Sequence, residues 1–130
     1  MTQTEDAVHT ARALAEAAVD HKAERVVALD VSGLTSFTEG FVIASGSSDR
    51  HVRAVADAVV ERAAALGREP LGVEGLEGAE WVLIDLDDVV VHVFQREKRE
   101  HYDLERLWAD APATWFEAAP GGAVRRRSAP

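Results

Sequence analysis

With 130 residues, 47% of them hydrophobic, the chain has the size of one domain and enough apolar material for a core that needs no metal or disulfide. It contains no cysteine, which excludes disulfides, thiolate metal sites and a thiol nucleophile together. Fourteen basic and twenty-three acidic side chains give a net charge of −9; Arg125, Arg126 and Arg127 supply three of the fourteen, so the chain ahead of them stands at −12 and should repel bare phosphate and attract basic protein surfaces.

The start, Met1–Asp6, is polar and acidic, with no apolar stretch behind it, so no secretory signal is expected, and no apolar run approaches the length of a membrane span. Glu5 to His21 reads as an amphipathic helix: Val8, Ala11, Leu14, Ala18 and Val19 recur at three-to-four spacing, with Thr4 as candidate cap. The β-branched run Val26–Val31 is short enough for a strand. Ser32–Glu39 has the glycine and hydroxyl residues of a loop, and Phe41–Ser45 is a second strand. Gly46-Ser47-Ser48-Asp49 then launches a second helix, capped by Ser48 or Asp49, with Val52, Val55, Val59, Ala63 and Leu66 as its buried stripe and Gly67 as its stop. Pro70–Gly75, Glu80–Leu86 and Val89–Gln95 read as three further strands. Arg96–Arg106 is charged and helical toward its end, where Leu104, Leu107 and Trp108 offer an apolar face. From Ala118 the composition turns to Ala, Pro, Gly, Arg and Ser, which predicts a disordered basic tail over 118–130 behind a domain of residues 1–117. The pattern as a whole implies a single α/β domain, a mixed sheet of about five strands with flanking helices.

Asp87-Asp88, taken as a two-residue turn, fixes the register of the last two strands. Leu86, Ile84 and Val82 then face Val89, Val91 and Val93 on a wholly apolar side that must be core. The other side pairs Asp85 with Val90, Leu83 with His92, and Trp81 with Phe94. Such a face is either a docking surface built on an aromatic anchor or a second packed layer with His92 at its rim. Exposure of Trp81 decides between them.

Two features raise enzyme chemistry. Gly46-Ser47 after a strand, with Asp85 and Asp87 later, is loosely similar to the phosphate turn and metal-binding carboxylates of a nucleotidyltransferase, which must converge on one magnesium site. The five histidines show no metal-ligand spacing, and no serine sits in a nucleophile-elbow setting. Neither a catalytic set, a metal site nor a cofactor is expected.

Several blocks, in order, resemble the iojap family of ribosomal silencing factors: Val26–Val31, Phe41–Val52, Gly72–Gly75, Glu80–Phe94 and Tyr102–Trp108, spread over about residues 5–111. The resemblance implies a nucleotidyltransferase-like fold without the activity, in a cytoplasmic translation repressor. It implies docking on the large ribosomal subunit through the uL14 ribosomal protein, blocking subunit association, and a homodimer when free, with no direct DNA or membrane partner. Position by position, Trp81, Asp85 and Asp88 match the family's partner-contacting region, and Tyr102 and Asp103 its second patch; His92 lies on the same hairpin. Asp87 departs from the pattern, at a turn position that is often glycine, and the tail after Ala118 has no counterpart in it.

Overall fold

The computed structural model describes residues 2–130. Helix α1 (Gln3–Asp20) opens on a capping box in which the Thr2 hydroxyl accepts from the Glu5 N–H and the Glu5 carboxylate accepts from the Thr2 N–H. Thr2, not Thr4, is therefore the cap; the Thr4 hydroxyl instead donates to Glu39 at 3.1 Å. Strands β1 (Glu24–Asp30) and β2 (Gly40–Gly46) follow. Helix α2 (Asp49–Ala65) is capped by Ser48. It ends with Gly67 at φ 75 and the Arg68 N–H returning to the Ala63 carbonyl, a closure that favours glycine. Leu66 is outside the buried stripe: as the C-cap residue it has turned off the helix face and is exposed.

Strands β3 (Gly72–Glu74), β4 (Trp81–Asp85) and β5 (Val89–Gln95) come next. The charged segment is helical from its first residue, as α3 (Arg96–Tyr102), and after a break at Asp103 continues as the short α4 (Leu104–Leu107). Two more strands, β6 (Ala113–Ala118) and β7 (Val124–Arg127), close the chain.

The sheet thus has seven strands, in the order β3-β4-β5-β2-β1-β6-β7, rather than about five. All neighbours are antiparallel except the central pair β2/β5. Of the added strands, β7 comes from the stretch expected to be disordered, and β6 from residues 113–118 at its threshold, to which no strand was assigned. That expectation fails because Trp115, Phe116 and Val124 supply apolar groups to an antiparallel hairpin, Phe116 is buried in the main core, and the glycines Gly121 and Gly122, at φ 91 and 93, make its turn.

Two apolar layers flank the sheet. On one side α1 and α2 seal Val26, Val42, Ala44, Val82, Ile84, Val91 and Val93 in the main core. On the other, α3, α4 and Ala111 cover a smaller cluster of Val27, Leu29, Val31, Phe41, Ile43 and Phe94. This second layer is short. It leaves Leu83, Asp85 and Val90 only half-buried.

Candidate docking face

The β4/β5 register is the one expected: Trp81↔Phe94, Leu83↔His92 and Asp85↔Val90 occupy one side. The turn joining the strands bends sharply at Asp87, whose φ of 73 lies in the left-handed region. The Asp88 N–H donates to the Leu86 carbonyl at 3.0 Å across it, and the Asp87 N–H donates to a carboxylate oxygen of Asp85 at 2.8 Å. An aspartate beside the turn thus stabilises a conformation that glycine would adopt freely.

Trp81 is half-buried. Its ring stacks on Phe94, with centroids 4.9 Å apart, and lies 4.7 Å from Tyr102, which reaches over from α3. Its indole N–H donates to His92 Nδ1 at 3.1 Å. That bond fixes the histidine tautomer, with the proton on Nε2. His92 itself is only 5% exposed, under Phe41, Trp81 and Phe94, and burial pulls its pKa down from 6.5 to about 4. It is therefore neutral at physiological pH and supports Trp81 from behind rather than meeting a partner.

The six residues picked from sequence therefore divide. Trp81, Asp85 and Tyr102 share one open face, Tyr102 being 47% exposed, and Asp103 is exposed just beyond it at φ 47. His92 is underneath. Asp88 is on the opposite side of the sheet: its carboxylate accepts from Arg68 at 2.5 Å and is mostly covered, and its carbonyl accepts the N–H groups of Glu39 and Gly40. An ion pair that arrives from α2's exit, twenty residues away, has claimed this carboxylate for the fold.

Arg99, which the sequence reading passed over, holds the second layer in place. It is 2% exposed, and its guanidinium donates to the Ser45 hydroxyl at 2.9 Å, to Glu105 at 3.2 Å and to the Glu24 carbonyl at 3.4 Å. Its centre lies 6.0 Å over the Trp115 ring. One buried cation thus ties α3 and α4 to β1, β2 and β6, and so sets where Tyr102 and the exposed Leu107 project. The only signal in sequence was an arginine one turn before an aromatic in a charged helix.

The nucleotidyltransferase alternative does not survive the register. Gly46 pairs with Gln95 at one end of the β2/β5 ladder, whereas Asp85 pairs with Val90 near the other, next to Gly40. At ~3.3 Å per residue the two elements are separated by roughly 15–20 Å along the strands. They cannot share a magnesium ion. Among the described residues no three His, Asp or Glu side chains are grouped to hold a metal, and no helix is long and apolar enough to cross a membrane.

Residues 4–129 match the sequence profile of the RsfS family, described as ribosomal silencing factor during starvation. The match runs through β7, so the C-terminal hairpin has a family counterpart after all. The chain is 47% identical over 98 residues to the ribosomal silencing factor RsfS of Halalkalibacterium halodurans, covering 75% of this chain and 84% of that one. It is also 36% identical over 75 residues, 55% of this chain and 33% of the other, to a mouse protein named mitochondrial assembly of ribosomal large subunit protein 1. A crystal structure of a Chromobacterium violaceum protein superposes with a TM-score of 0.77 at 39% identity, covering 78% of this chain and 85% of that one.

Proposed function

The chain belongs to the RsfS family of ribosomal silencing factors, and from that premise we propose that it docks on the large ribosomal subunit through the uL14 ribosomal protein, sterically blocks subunit association and so represses translation in the cytoplasm. The observation that carries this reading is the unfinished second layer of the sheet. Trp81 and Tyr102 form a supported aromatic ledge there, with Asp85 and Asp103 as carboxylates at its margins. An aromatic anchor rimmed by acid suits a basic ribosomal protein: the rings lose water on docking, and the carboxylates steer the encounter. In the free protein a homodimer would have reason to cover the same layer, since Leu107 of α4 is 76% exposed and Tyr102 of α3 47%.

The test is co-sedimentation with purified large subunits, together with light scattering of subunit joining. The wild type should bind and suppress joining. Tyr102→Ala and Asp85→Lys, both at solvent-reached positions, should bind at least tenfold more weakly while remaining folded at the assay temperature, which thermal unfolding checks. Normal binding by both variants would mean that another face docks.

A further inference from the structure

We propose that the arginine-bearing edge strand β7 is a second contact, to the phosphate backbone of ribosomal RNA, made while the Trp81 face holds a subunit protein; the inference rests on the large-subunit reading. The sheet ends in β7 on one margin and has Trp81 next to the other margin. Five strand-to-strand steps separate β4 from β7, about 24 Å at ~4.8 Å each. Across that width the charge changes sign. The chain ahead of Arg125 carries −12, yet the β1–β6–β7 margin bears Arg25, Arg125 and Arg127, with Arg126 on the reverse side of β7.

Arg125 stands opposite Glu117 and Arg127 opposite Trp115, so both project on the side of the sheet that carries the docking face. Arg25 is exposed on β1, next to the Val26↔Phe116 pair. The acid paired with this group is Glu117, which Arg125 meets at 2.7 Å and Arg127 at 3.8 Å, so one carboxylate is divided between two cations. Arg126 turns to the other side, into a groove it shares with Arg12, Asp30 and Glu39, and makes no ion pair among the described residues. The outer edge of β7 also has backbone N–H groups that no strand takes up.

Guanidinium groups spaced along an extended edge, with a half-buried indole beside them, match the repeating anions of a nucleic-acid backbone. A merely protective role exists for the same residues, because charged side chains on an edge strand keep sheets from adding to one another. The two roles differ in one observable. Phosphate contacts release counterions, so affinity must fall with salt by a slope of about 0.7–0.9 in log–log terms per contact.

The experiment measures subunit binding by co-sedimentation over a potassium chloride series at fixed magnesium. It compares wild type, the triple variant Arg125→Gln/Arg126→Gln/Arg127→Gln, and the charge-retaining triple Arg125→Lys/Arg126→Lys/Arg127→Lys. The glutamine variant should lose about two contacts' worth of slope, roughly 1.5, and at least tenfold in affinity. The lysine variant should keep the wild-type slope. The chain has no cysteine, so Ser128→Cys gives a single attachment point for an iron chelate, which should cut ribosomal RNA in the complex. An unchanged slope in the glutamine variant, or a bound chelate that leaves RNA intact, overturns this inference alone. Wild type that fails to bind subunits overturns the docking reading beneath it.

Discussion

Substituting His92 by Gln should abolish one defined part of the protein's acid sensitivity. In the folded chain His92 titrates at about 4, because burial penalises the cation, whereas its ordinary value is 6.5. Above pH 6.5 neither the folded nor the unfolded chain holds this proton, and the histidine imposes no acid penalty. As pH falls from 6.5 toward 4 the unfolded chain takes up a proton that the folded one refuses, so stability is lost through that window. At pH 5 the loss works out at about 2 kcal/mol, rising to about 3 kcal/mol once the pH reaches the folded-state value. Urea unfolding at pH 7.5 and pH 5.0 reads this directly: the wild-type midpoint should drop by roughly 1 M more than that of His92→Gln, taking ~2 kcal/mol per molar for a domain of this size. Because the comparison is between pH dependences, any baseline cost of the substitution cancels. Equal losses in the two proteins would refute the buried, proton-refusing state. The same protonation removes the acceptor for the Trp81 indole N–H, so loosening of the docking ledge should accompany the loss of stability.

Trp81→Ala removes a half-buried ring that packs on Phe94 and Tyr102, and it strips His92 Nδ1 of its donor. It should cost about 2–3 kcal/mol of folding stability as well as weakening docking, so thermal unfolding must be measured beside binding. An unchanged melting temperature would show that the ring contributes only to docking. Gly75 and Gly67 both have positive φ, at 88 and 75, but a Cβ at Gly75 would overlap the Trp81 carbonyl oxygen whereas one at Gly67 meets open space. Gly75→Ala should therefore lose more than 2 kcal/mol and Gly67→Ala about 1 kcal/mol; comparable unfolding midpoints would show that the loop at Gly75 gives way.

The parts of this molecule legible in sequence were those set by local period. Alternation around a two-residue turn gave the β4/β5 register residue by residue, and three-to-four spacing gave α1 and α2. What misled were interactions between segments far apart in the chain. Asp88 is expected beside Asp85 in the partner-contacting region, and only the folded chain sets Arg68 against it. His92 shares a strand face with Trp81, but nothing in the alternation tells that Phe41 and Phe94 close over it. The C-terminal hairpin was lost to its Gly-Gly-Ala turn, which reads like a linker; the pairing strength lies in β6, whose Phe116 fits a core that only the folded sheet supplies.

The parallel pair β2/β5 at the middle of the sheet has a consequence for how the protein is made. It joins residues about fifty positions apart, Gly40 with Val89 through Gly46 with Gln95. The whole of α2 and the β3/β4 segment lie in the loop that must close, so this zipper is entropically slow to form. β1, in turn, needs β6 on its far side, from the last quarter of the chain. A nascent chain therefore has no finished sheet until β6 has been made, long after β1 and β2. The Trp81 ledge, built from residues 81–102, thus gains its full support only when strands from distant parts of the chain have come together.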